Sequence, residues 1–169
     1  LGHVGLGNLQ LLVNTRGIEE DRAPVAEALR TYFGERIGEM CEDCQRRLDT
    51  NIWRILDCKE EACGRIIADA PEITDLIGDD SRAFFDHVCA GLDTLDIAYT
   101  RDPRLVRGLD YYAHTVFEVA CDELGPQAAL AGGGRYRMAL PGVKHPVEGT
   151  GFAVGLERVL LARAAQGVA

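Results

Sequence analysis

No apolar run in the sequence approaches the roughly 20 residues of a membrane-spanning helix. The first residues, Leu1-Gly2-His3-Val4, lack the basic-then-apolar layout of a secretory signal. Positive charge is scarce as well: 18 Lys and Arg face 27 Asp and Glu, a formal net charge of -9. That balance argues against a general nucleic-acid coat and leaves room for a local basic site. The phosphate-loop pattern ending in Gly-Lys-Ser/Thr is absent. His3, His87, His114 and His145 have no metal-ligand spacing and no neighbouring Cys or Ser, and no carboxylates pair at a diagnostic spacing. Electrostatic positioning of charged substrates is then the chemistry to expect, rather than covalent catalysis. These features point to a soluble, intracellular chain. Position 1 is not Met, and the opening in mid-pattern on a glycine-punctuated strand reads as a segment of something longer.

What is present is ordinary globular material: 169 residues, 47% hydrophobic and 27% charged. That suffices for one compact domain, or a domain with a small insertion, and its core. Leu9 to Asn14 is short, apolar and β-prone, a strand that Gly17 ends. The period then changes. Asp21 as N-cap, Pro24 in the first turn and Val25, Leu29, Tyr32 and Phe33 predict a helix that Gly34 closes. Met40 to Arg65 is charged and interrupted, which predicts short helices or turns held around something. Asp69 before Ala70-Pro71-Glu72 marks another helix start, and Phe84, Val88, Leu92 and Leu95 repeat at helical spacing with one buried face. After Leu95 the pattern returns to strands at Ile97–Thr100 and Thr115–Val119, a tight turn at Gly132-Gly133-Gly134, and Gly151 to Gly155 leading into a helix. The fold class is α+β: an antiparallel sheet with flanking helices and an inserted, mostly helical module over 17–95, between core segments 1–16 and 96–169.

Arg104 to Tyr112 places cations, an acid and two tyrosines around Gly108. An arginine beside glycine can grip a carboxylate or phosphate with two parallel hydrogen bonds, and the tyrosines can orient a small polar ligand. The alternative is a surface turn whose Arg and Asp pair with each other. Gly132, Gly133 and Gly134 permit close backbone approach or simply make a hairpin. Arg158 sits near a helix start, where guanidinium and helix dipole together favour an anion; an ordinary Glu157–Arg158 surface pair is the alternative. Cys89 falls in a helical apolar pattern as a small buried hydrophobe. Cys41, Cys44, Cys58 and Cys63 read as C-x2-C, thirteen residues, C-x4-C. This is compatible with a tetrathiolate zinc site fastening a small charged subdomain, or with reduced surface thiols.

Leu105-Val106-Arg107-Gly108-Leu109-Asp110-Tyr111-Tyr112 followed by Thr115-Val116-Phe117-Glu118 closely resembles the histidine signature of the histidyl-tRNA synthetases, which are class II aminoacyl-tRNA synthetases. Gly133-Gly134-Arg135-Tyr136 resembles that family's second histidine motif, and Gly151 to Arg158 resembles class II motif 3. Cys41 to Leu48 and Leu56 to Lys59 are similar to the insertion domain of bacterial members. The resemblance covers nearly the whole chain in the right order. It implies part of the class II antiparallel sheet, with magnesium-bound ATP, L-histidine and tRNA(His) as substrates, a cytoplasmic homodimer in the full-length protein, and no membrane. It assigns Arg107 to the α-phosphate and the histidine carboxylate as the catalytic arginine, and Arg158 to the ATP γ-phosphate. Tyr111 and Tyr112 line the histidine pocket, and Gly133, Gly134, Arg135 and Tyr136 form its floor and wall. Zinc on the cysteines would be structural, since the family does not always carry them.

Motifs 1 and 2 and the anticodon-binding domain are missing from the sequence, so the segment alone is expected to be inactive. Arg137-Met138 replaces the usual Asp-Gly after Tyr136, and Ile52-Trp53 stands where Pro-Leu is usual. The resemblance also admits a non-catalytic paralogue, the regulatory subunit of ATP phosphoribosyltransferase, which generally lacks the insertion. A lone zinc-containing RNA-binding module fits the acidic balance and the histidine motifs less well.

Overall fold

The computed structural model describes residues 1–107, 111–125 and 127–168. Its spine is a five-stranded sheet in the order β2-β1-β3-β4-β5: β1 Leu9–Thr15, β2 Thr100–Arg101, β3 Tyr112–Cys121, β4 Ala129–Met138 and β5 Val147–Val154. Every neighbouring pair is antiparallel except β1 and β2, which run parallel. The sheet is therefore mixed at one edge. Between β1 and β2 the chain forms α1 Glu19–Gly34, α2 Glu42–Thr50, α3 Glu61–Ala68, α4 Ile73–Leu76 and α5 Asp79–Thr94; α6 Leu156–Ala165 follows β5. No described helix is long and apolar enough to cross a membrane.

The helical stretch has its own core. Val25, Leu29 and Phe33 of α1 pack with Met40, Ile52, Ile55, Ile67, Ile73 and Ile77 and with the thiols Cys44 and Cys63. α5 lies on the sheet instead, burying Phe85 and Cys89 against Val13. Cys89 thus fills the apolar role its pattern indicated. Leu95, expected on the buried face, is 69% exposed; the stripe is Ser81, Phe85 and Cys89, one position off the predicted spacing. Asp21 is not the N-cap of α1. From the third helical position its carboxylate accepts from Ile18 N (2.9 Å), Gly78 N (2.8 Å) and Ser81 Oγ (2.5 Å), so it ties the start of α1 to the start of α5. Burial raises its pKa, but these hydrogen bonds win and hold it below the ordinary carboxylate value.

The triple glycine is no turn. Gly132, Gly133 and Gly134 lie inside β4, paired with β3 and β5 at once. A Cβ at Gly133 would sit 2.2 Å from the Gly151 carbonyl oxygen, so only glycine lets β5 approach. Gly133→Ala is expected to destabilise the fold by about 3 kcal/mol, because backbone rather than a flexible side chain must give way. Gly64→Ala, in α3 with nothing near its missing Cβ, should instead stabilise it by about 0.5–1 kcal/mol. Urea melts of both variants check the pair, and equal midpoints would contradict this reading.

Candidate active site

One face of the sheet carries the charged and aromatic groups. Asn14 Nδ2 donates to the Leu105 and Pro103 carbonyls (3.0 and 3.3 Å) and lays the segment before Arg107 across β1. From there Arg107 Nη1 reaches Glu118 Oε2 on β3 at 2.9 Å, with the two side chains 29% and 20% exposed. The guanidinium lies flat over β4: a Cβ on Gly132 would come within 2.7 Å of Cζ, Nη1 and Nη2. Glycine here makes room for a charge. Arg107 and Glu118 line an open cleft of about 800 Å³, between this face and the module segment Asp57–Glu61.

Beside Arg107 stand three tyrosines. The Tyr111 and Tyr112 rings are 4.8 Å apart, and Tyr136 meets Tyr111 edge-on at 6.2 Å. Tyr112 is buried against Leu105 and Val116, and Gly134 lies beneath its ring. Burial and the neighbouring Tyr112 hydroxyl raise the pKa of Tyr111 against the opposing charge of Arg107, so its hydroxyl stays protonated and able to donate near neutral pH. Such a face can hold a small zwitterion or an anion: a forked cation, a carboxylate and phenol hydroxyls around a glycine floor.

Arg158 lies in the first turn of α6 and its Nε donates to the Ala129 carbonyl at the start of β4. It sits three residues along the strand from Gly132, about 10 Å at the usual rise. Arg135 points elsewhere. It pairs with Glu148 Oε2 at 2.6 Å and lies 5.5 Å from the Phe84 ring of α5, away from the tyrosines. Strand alternation accounts for this, since Gly134 and Tyr136 share one face and Arg135 takes the other.

The four clustered thiols converge although they come from separate elements: all their Sγ atoms lie within 4.8 Å of one another. Cys41 and Cys58 are 3.8 Å apart, the S–S edge of about 3.8 Å that a tetrahedron with Zn–S bonds of about 2.3 Å requires. Cys41 N donates to Cys63 Sγ at 3.2 Å. Burial pushes the Cys44 and Cys63 thiols up, while the Cys44 backbone amide lowers Cys41.

The sequence model of the family described as histidyl-tRNA synthetase matches residues 1–159. The chain belongs to the histidyl-tRNA synthetase family. It is 44% identical to the histidine–tRNA ligase of Geobacillus thermodenitrificans over 98% of its own length and 39% of that protein. It is 43% identical to the ligase of Halothermothrix orenii, over 99% and 40% respectively. The apo histidyl-tRNA synthetase of Staphylococcus aureus superposes with TM-score 0.68 at 42% identity, covering 99% of this chain and 41% of that one. A Nostoc histidyl-tRNA synthetase shares the fold at TM-score 0.56 and 18% identity. The chain thus spans about two fifths of the relatives it matches.

Arg107, Tyr111, Tyr112, Gly134 and Tyr136 gather on one face, Gly133 sits at the β4–β5 contact, and Arg158 stands at the far end of β4. Gly108, Leu109 and Asp110 of the signature lie outside the described residues. Glu118, the partner of Arg107, could have been found from its alternation with Val116 on β3. His114 gave no such signal. Its backbone is left-handed (φ 57), its ring lies 4.1 Å from that of Phe84, and its Nδ1 is buried without a hydrogen-bond partner. Burial, helped by the charge of Arg135, holds it below the ordinary imidazole value of 6.5. The unfolded chain then takes up a proton before the folded one, so stability should fall as pH drops below about 6.5 and be flat just above it. His114→Asn, which tolerates the backbone, should flatten melting temperature between pH 7 and 5; an unchanged slope would remove His114 from this role.

Proposed function

We propose that the protein to which this chain belongs is a histidine–tRNA ligase and that these residues form part of its catalytic domain. The carrying observation is the Arg107 guanidinium laid over Gly132, paired with Glu118 and flanked by Tyr111, Tyr112 and Tyr136. A carboxylate oxygen of L-histidine attacks the α-phosphorus of magnesium-bound ATP. The bond between that phosphorus and the bridging oxygen breaks, leaving histidyl-adenylate and pyrophosphate. Arg107 binds the histidine carboxylate and the α-phosphate and offsets the charge that builds between them. Tyr111, Tyr112 and Tyr136, over Gly133 and Gly134, orient the amino acid, and Arg158 binds the γ-phosphate. The terminal ribose hydroxyl of tRNA(His) then attacks the adenylate carbonyl and AMP leaves. A cytoplasmic homodimer is the assembly proposed, with 17–95 as the insertion and 1–16 and 96–169 as core.

The donor set fits zinc. Cys41, Cys44, Cys58 and Cys63 would hold it as four thiolates, which leaves no open position, so its part is to fasten the module outside the reaction. About one equivalent of zinc should copurify, and less than about a tenth would count against the site.

Histidine-dependent ATP–pyrophosphate exchange by the full-length protein tests the main reading. Histidine binding without exchange would make it a non-catalytic paralogue instead. The 169-residue chain alone should show no exchange, because Phe152, Leu156, Leu160 and Leu161, 71%, 68%, 58% and 59% exposed, await the rest of the catalytic domain. Robust adenylate formation by the isolated chain would refute that.

A further inference from the structure

Arg16 follows the last residue of β1, yet it is only 3% exposed. A guanidinium withdrawn that far from water needs fixed partners, and those it has span three parts of the fold. Its backbone N–H donates to the His114 carbonyl on β3 at 2.8 Å. Its Nη1 donates to the backbone carbonyl of Arg107 at 3.0 Å. Its Cζ lies 5.0 Å from the ring centroid of Trp53, in the single turn Ile52–Ile55 of the helical module. Val106, next to Arg107, packs on that module's core. A cavity of only about 70 Å³ separates Arg16, Trp53, Val106 and Arg107, so the junction is nearly closed.

We propose that Arg16 is a positioning residue for Arg107. Placed over the Trp53 ring and donating to the Arg107 carbonyl, it fixes the backbone from which Arg107 reaches Glu118 and so couples the helical module to the chemistry. The proposal rests on the reading of Arg107 as the residue that binds the reacting groups. Lysine cannot replace it, because a compact ammonium lacks the spread of donors that lets a guanidinium sit over the indole and still reach the Arg107 carbonyl. Trp53 supplies the other half of the contact, at a position where the family resemblance is broken. A branched aliphatic side chain there would offer no π face to the cation.

The test uses the full-length protein with Arg16→Leu, Arg16→Lys, Trp53→Phe and Trp53→Leu. In pyrophosphate exchange, Arg16→Leu and Arg16→Lys should lower kcat about 10- to 100-fold, the scale of a misplaced catalytic group, with the KM for ATP changed less than about threefold. Trp53→Phe keeps an aromatic face and should stay within about threefold of the parent, whereas Trp53→Leu should approach Arg16→Leu. The double variant Arg16→Leu/Trp53→Leu should be no worse than the worse single, because both break one contact. Amide hydrogen exchange in peptides covering 103–107 should speed up in Arg16→Leu and not in Trp53→Phe. The proposal is overturned if Arg16→Leu lowers the melting temperature but leaves kcat and the 103–107 protection unchanged, or if the two single losses multiply. A parent protein without exchange activity defeats the ligase reading alone. The 103–107 protection still decides the positioning role in that case, and unchanged protection in Arg16→Leu ends it.

Discussion

Arg107→Ala in the full-length protein is expected to lower kcat/KM for histidine-dependent exchange by about a thousandfold, the loss seen when a preorganised charge-stabilising group is removed. Two features make the effect large. The guanidinium is held at both ends, by Glu118 at 2.9 Å and by the bare backbone of Gly132 beneath it, so it needs no reorganisation when negative charge develops. Alanine would also leave Glu118, 20% exposed, as an unpaired anion in a site proposed to take a carboxylate and phosphates. Arg107→Lys keeps the charge but loses the fork and should lie between, near a hundredfold. The melting temperature should fall by a few degrees as well, since the pair is only 29% and 20% exposed and alanine leaves Glu118 without its partner. Exchange kinetics with varied histidine and ATP provide the check; a loss under about fivefold would remove Arg107 from the chemistry.

Zinc removal should have the second large effect, and on folding. α2 runs over Glu42–Thr50 and α3 over Glu61–Ala68, both too short to hold helix in water without packing, and two of the four thiols are part of the core those helices build. Tetrathiolate zinc binding is worth about 10–16 kcal/mol in small peptides, and much of it appears as folding free energy. Chelation, or Cys44→Ala with its buried thiol gone, should lower the melting temperature by about 10 °C or more, as a loss of several kcal/mol does in a domain of this size. Helical signal should fall with it. Exchange activity in the full-length protein should decline too, because Val106 leans on the module's core. An unchanged melt after complete metal removal would reduce the cysteines to ordinary buried thiols.

Much of this was legible locally. The β1 run, the change to helical period after Gly17 and the return to strands after Leu95 depend on nearest-neighbour patterning, and each was recovered within a few residues. The cysteine spacing pointed to the convergence of the four thiols, because ligand geometry limits which loops can close around one ion. The family signature around Arg107 was readable for a similar reason: Arg107, Tyr111 and Tyr112 lie within six residues of one another in the chain.

What the sequence determined by itself was the alternation of strand, helical and again strand stretches, the family and the types of residue available for an anion and a small zwitterion. The tertiary structure alone decided how those residues face. Gly132, Gly133 and Gly134 read as a turn, because glycine's conformational freedom is a local signal. Their reason for being glycine is three-dimensional: Arg107, Gly151 and Tyr112 occupy the space a side chain would need. Arg135 left the site for Glu148 because strand alternation acts on the register, which no short window reveals. Arg16 and Trp53 are 37 residues apart in the chain and each is unremarkable alone. Packing the helical module against the sheet makes them one contact, since a charge can be buried only where the whole fold brings it a partner.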